Sequence, residues 1–79
     1  MSTVPDVIAP PDPRLAFGRH LAGLRRAVGL SQEALAHESG LARSYVSGVE
    51  RGKRNISLLN ICRLASVLNV RPSDLLDTL

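Results

Sequence analysis

Ser31-Gln32-Glu33-Ala34-Leu35-Ala36-His37-Glu38-Ser39-Gly40-Leu41-Ala42-Arg43-Ser44-Tyr45-Val46-Ser47-Gly48-Val49-Glu50 is the stretch whose reading decides the fold. Ser31 supplies a hydroxyl that accepts a free backbone N–H at a helix start, and Glu33 suits the positive end of that helix. The helix runs from Gln32 to about Ser39 and stops at Gly40, which tolerates the left-handed backbone of a tight reversal. Only Leu41 and Ala42 intervene before a second helix, about Arg43 to Arg51, which Gly52 closes. Leu35, Ala36, Val46 and Val49 are placed to pack both helices on one core, and Ala36 is small where the second helix crosses. So tight a turn leaves the second helix protruding from the body.

The flanks repeat the helical pattern. Phe17, Leu21, Leu24 and Val28 recur at i, i+4, i+7 and i+11, one face of a helix that Pro13 opens and Gly29 ends. Arg19, Arg25 and Arg26 lie mostly off that face. Downstream, Ser57 caps a helix whose expected apolar stripe is Leu58, Ile61, Cys62, Ala65 and Leu68. Asn69-Val70 is a break, and Pro72 opens a short last helix with Leu75, Leu76 and Leu79. There is no strand pattern. The expectation is an all-α, five-helix domain over residues 13–79, preceded by a disordered arm at residues 1–12, where Pro5, Pro10 and Pro11 resist helix.

Composition narrows the function classes. A chain of 79 residues allows one small domain. Its single cysteine, Cys62, excludes an internal disulfide, which suits a reducing compartment. Cys62 reads as core, with a redox sensor as the alternative. His20 and His37 share no metal or catalytic spacing and read as surface or core-edge residues, so no metal or cofactor is expected. No apolar run approaches a membrane span and no signal-peptide pattern opens the chain, so a cytoplasmic location is expected, with no membrane contact. The formal charge of +3 is unevenly spread: between Arg14 and Arg71 ten basic residues face only Glu33, Glu38 and Glu50, a net of +7. A compact basic body suits nucleic acid. With Phe17 and Tyr45 the only aromatics, single-strand binding by base stacking is disfavoured and duplex DNA favoured.

Two short helices around a glycine turn form a helix-turn-helix, whose second helix presents its first residues to a major groove. The chain resembles the lambda-repressor-like (XRE-type) helix-turn-helix regulators. Leu24-Arg25, Leu30-Ser31-Gln32-Glu33-Ala34-Leu35-Ala36, Ser39-Gly40-Leu41, Tyr45-Val46-Ser47, Val49-Glu50-Arg51-Gly52 and Pro72-Ser73-Asp74-Leu75-Leu76 carry the resemblance, which spans about Phe17 to Leu76. Arg43-Ser44-Tyr45-Val46-Ser47 with Glu50-Arg51-Gly52-Lys53-Arg54-Asn55-Ile56-Ser57-Leu58 is most similar to the controller proteins of restriction–modification systems. The resemblance implies a non-enzymatic transcriptional regulator that binds a palindromic operator as a homodimer. An antitoxin-type regulator that also binds a protein toxin is the alternative, and a pure protein-interaction module is a third class.

Arg43 is the expected lead base reader, because arginine pairs bidentately with guanine O6 and N7. Ser44 and Ser47 share its face, and Tyr45 lies beside them, either on the DNA or partly in the core. Arg51, Lys53, Arg54, Asn55 and Ser57 follow the helix and are expected to clamp phosphates, with Arg54 also able to reach a groove. Gly48 costs about 1 kcal/mol against alanine inside a helix. It makes room for DNA or a dimer mate, or is simply tolerated. The resemblance implies a phosphate contact for Gln32 and a structural pair between Arg25 and Glu50, with Arg25 turned toward phosphate. Val70, Leu75, Leu76 and Leu79, with part of the fourth helix, are the expected dimer interface. No small-molecule ligand is expected.

Overall fold

The computed structural model describes residues 12–79, so the arm expected at residues 1–12 lies, Asp12 apart, outside the described residues. Five helices follow: α1 (Pro13–Ala27), α2 (Gln32–Ser39), α3 (Arg43–Glu50), α4 (Leu58–Leu68) and α5 (Pro72–Leu75). The starts of α1, α2, α4 and α5 each have a local cause. Asp12, expected to end the arm, instead caps α1 by accepting the Arg14 N–H at 3.0 Å. Ser31 and Ser57 do the same for α2 and α4, accepting from Ala34 and Asn60 at 3.0 and 3.1 Å. Pro13 and Pro72 sit in first turns, where a missing N–H costs nothing.

The reversal between α2 and α3 is built as the sequence reading expects. Gly40 takes the left-handed conformation, φ +74°, and the Leu41 N–H returns to the Ala36 carbonyl at 2.9 Å. Asn69 ends α4 at φ +58°, the one positive φ outside glycine among the described residues.

The core draws on every helix: Leu21 from α1, Leu35 from α2, Val46 and Val49 from α3, Leu64 from α4 and Leu75 from α5 are fully buried. A fully buried leucine contributes about 1.5–3 kcal/mol, so these six residues explain why five short helices hold together without a disulfide. The α4 stripe differs from expectation. It is Ile61, Leu64, Ala65 and Leu68, while Leu58 is 71% exposed and Cys62 is on the surface. Leu64 lies at i+3 from Ile61 and i−4 from Leu68; the expected stripe omitted it and took in residues on the flanks of the same arc. Val28, likewise expected in the core, is exposed at the α1 C-cap.

Two glycines mark close approaches that periodicity does not reveal. A Cβ on Gly18, in mid-α1, would meet the backbone carbonyls of Val49 and Glu50. A Cβ on Gly52 would lie 3.0 Å from the Leu15 Cα. The N-terminal half of α1 therefore packs directly on the C-terminal end of α3 and the turn after it, fixing where α3 points. His20 Nε2 lies 2.7 Å from the Asp74 carbonyl oxygen and ties α1 to α5.

Candidate nucleic-acid interface

Helix α3 buries Val46 and Val49 and turns the opposite side outward, with Arg43 and Ser44 exposed and Ser47 half-buried. Its N-cap residue, Ala42, makes no side-chain cap. The leading N–H groups of α3, the positive end of its dipole, are therefore left for solvent or an anion beside the Arg43 guanidinium.

The other end of α3 is locked. Glu50 accepts from Arg25 Nε at 2.6 Å and from Arg25 Nη2 at 2.9 Å, and from Gln32 Nε2 at 2.9 Å. Arg25 Nη1 donates to the Leu30 carbonyl at 2.9 Å. One carboxylate thus joins α1, α2 and α3, and the pair is nearly dry, with side chains 11% and 5% exposed for Arg25 and Glu50. Burial pushes the Glu50 carboxyl up, but the donors from Arg25 and Gln32 and the charges of Arg25 and Arg26 outweigh it and hold it below the usual carboxylate range. The hydrogen bond to Glu50 raises the Arg25 guanidinium further above its already high value. The expected structural pair is present. Arg25 directs one N–H from each guanidinium nitrogen to Glu50 or Leu30 inside the protein, and a guanidinium carries further η N–H groups beyond these. Gln32 directs its amide N–H to Glu50.

Arg19, Ala22, Arg26, Gln32, Glu50 and Arg51 line a notch of about 270 Å³ beside the start of α2. Arg19 and Arg26 are absent from the site expected from sequence. Their seven-residue spacing, two turns along α1 and off its apolar stripe, was the available signal. Three guanidinium side chains beside a helix N-terminus suit a phosphate.

The loop after α3 exposes Lys53, Arg54 and Asn55. Arg51 Nε reaches the Ser47 carbonyl at 3.4 Å, and Ser57 uses its hydroxyl on the α4 cap. Tyr45 is half-buried, and its hydroxyl accepts from Asn60 Nδ2 at 3.1 Å. The groups gathered here are cations, amides and hydroxyls, suited to binding phosphates and base edges rather than to catalysis. Among the described residues, no three His, Cys, Asp or Glu side chains come together as a metal site, and no helix is long and apolar enough to cross a membrane.

Of the four C-terminal residues expected at a dimer interface, Leu75 is fully buried in its own core, because α5 is docked through it, so it offers no surface to a partner. Val70 is half-buried against the same core. Leu76 and Leu79 are exposed, and Leu59 on α4 is 60% exposed next to Leu58.

The helix-turn-helix (HTH_3) family model matches residues 21–75. The control protein C.BamHI of Bacillus amyloliquefaciens is 48% identical over 65 residues, covering 81% of this chain and 80% of that protein. The crystal structure of the restriction–modification controller protein C.AhdI from Aeromonas hydrophila superposes with a TM-score of 0.78 at 58% identity, over 78% of this chain and 94% of that one. The structure of SinR, a master regulator for biofilm formation, in complex with DNA superposes with a TM-score of 0.75 at 34% identity, over 77% of this chain and 98% of that one. With the exposed start of its α3, its basic flanks and these relatives, the chain belongs to the XRE-type (HTH_3) helix-turn-helix family of sequence-specific DNA-binding regulators, and within it is closely related to the restriction–modification controller proteins.

Proposed function

We propose that the protein is the controller of a restriction–modification system and binds a palindromic operator as a homodimer. The observation that carries this reading is the start of α3: Arg43 and Ser44 are free and exposed, while Glu50 at the other end is clamped to α1 and α2. A fixed helix with an open N-terminus suits a major groove. Arg43, Ser44, Ser47, Tyr45 and Arg54 read base edges in this arrangement. Arg51, Lys53, Asn55 and Ser57, with Gln32 at the α2 N-terminus and Arg19 and Arg26 beside it, hold phosphates. One recognition helix covers few base pairs, and a two-fold pair covers two half-sites one turn apart, about 34–36 Å. Leu76, Leu79 and the exposed Leu58 and Leu59 of α4 supply apolar surface for the mate, with Val70 at its edge.

Selecting bound duplexes from a random pool tests the reading. A palindromic consensus with half-sites one turn apart is expected, together with a dimeric mass at micromolar concentration. A consensus without two-fold symmetry, or a monomer that binds at full affinity, overturns the homodimer. Arg43→Ala is expected to cost about 1–3 kcal/mol on the selected duplex and to relax choice at one base pair. Equal affinity of variant and wild type would remove Arg43 from the base readers. Lys53→Ala is expected to weaken all duplexes alike and to flatten the slope of log K against log salt by about one unit. A sequence-selective loss would refute its phosphate role.

A further inference from the structure

Gly48 lies inside α3, where glycine costs about 1 kcal/mol against alanine, and it is buried although its flank of the helix faces outward. What covers it is Arg54. A Cβ on Gly48 would lie 2.9 Å from Arg54 Cγ and 3.3 Å from Arg54 Nε, and the three nearest atoms beyond its own helix backbone all belong to Arg54. The room at Gly48 is occupied by a side chain of the same protein. The arginine stem lies against Gly48, and its guanidinium carbon sits 5.7 Å from the centre of the Tyr45 ring, within cation–π range. Tyr45 is anchored in turn by the Asn60 amide on α4, at 3.1 Å, and Arg63 Nη1 reaches Asn60 Oδ1 at 3.4 Å.

Position matters as much as contact. Gly48 stands at i+4 from Ser44 and next to Ser47, so the strip that Arg54 covers continues the one that carries Ser44. An arginine from a loop has been laid onto the recognition helix itself.

We propose that Gly48, Tyr45 and Asn60 form a seat that holds Arg54 as a second fixed base reader of the α3 surface, with Asn60 and Gly48 as positioning residues that contact no DNA themselves. The proposal rests on the DNA-binding reading above and deepens it. A free loop arginine finds any phosphate. A seated one presents its donors in one direction and pays less ordering entropy on binding, which is what discrimination between bases requires.

The seat is tested by a double-mutant cycle on the duplex that wild type selects from a random pool, with a scrambled duplex of equal length as reference. Gly48→Ala is expected to lower the ratio of the two affinities about tenfold, the loss of one positioned arginine contact. Its melting temperature is expected to hold or rise, because alanine is the better helix former and the exposed arginine can swing aside. Asn60→Ala is expected to lower the ratio in the same direction and by less. In an Arg54→Ala background, Gly48→Ala and Asn60→Ala are expected to change the ratio no further, because all three act through one side chain. An unchanged ratio in Gly48→Ala overturns the seat, as does a loss of equal size whether or not Arg54 is present. Wild type that selects no duplex at all overturns the DNA-binding reading and the seat with it.

Discussion

Glu50→Ala is expected to remove about 3–5 kcal/mol of folding stability, the cost of leaving one member of a buried ion pair without its partner. The loss falls on three helices at once. Arg25 keeps its charge inside the protein with Leu30 as its remaining acceptor among the described residues, and the Gln32 amide loses the Glu50 acceptor as well. A chain of this length has a total stability of roughly 4–12 kcal/mol, so the variant is expected to lose much of its folded population at room temperature. Urea titration followed by far-ultraviolet dichroism measures this. A loss below about 1 kcal/mol, the range of an exposed pair, would show that the pair is not the clamp described above.

The same carboxylate sets an acid limit. Its folded-state pKa is depressed, because the donors from Arg25 and Gln32 outweigh the opposing effect of burial. A group depressed on folding contributes fully above its ordinary pKa and loses that contribution as the pH falls through the depressed value. Arg25 is raised on folding and stays charged throughout that range. Wild-type stability should therefore be steady near neutrality and fall below about pH 4. Glu50→Gln is expected to show a lower neutral plateau and a shallower acid slope. An identical acid slope in the two proteins would place the titrating group elsewhere.

Gly18→Ala is the second large effect, and its sign is opposite to what helix propensity alone predicts. In an isolated helix the change would stabilise by about 1 kcal/mol. Here the new methyl group would meet the Val49 carbonyl oxygen and lie 2.5 Å from that of Glu50, and both are backbone atoms that cannot rotate away. Forcing α1 from α3 is expected to cost about 3 kcal/mol or more, at the upper end of overpacking in a tight core. It would also shift the base of α3, so any folded fraction should discriminate poorly between duplexes. Gly23→Ala is the control: among the described residues no atom beyond its own stretch of helix backbone lies within 4 Å of a Cβ there, and it should hold or raise the melting temperature. Equal melting temperatures for the two variants would show that α1 and α3 can separate without cost.

What the sequence by itself determined was local. The helix starts at Pro13, Gln32, Leu58 and Pro72, the reversal at Gly40 and the exposed start of α3 at Arg43 all follow from groups within four residues of each other, where hydroxyl caps, proline and left-handed glycine act on their own neighbours. The family motifs added one long-range pair, Arg25 with Glu50.

Only the tertiary structure decided the rest. Which of Leu58, Cys62 and Leu64 is buried depends on the angle at which α4 meets α2 and α5, because an apolar arc on a helix is wider than the surface any neighbour covers. Leu75 is fully buried for the same reason, since α5 packs back on its own domain. Gly18 and Gly48 look alike in sequence, each a glycine inside a helix. Their reasons differ because one faces the backbone of α3 and the other an arginine from the following loop. Those are meetings of residues far apart on a helix scale, and spacing along the chain holds no record of them. The exposed face that begins at Arg43 was legible from local rules; the clamp that aims it, and the arginine laid along it, came from how five short helices close on one another.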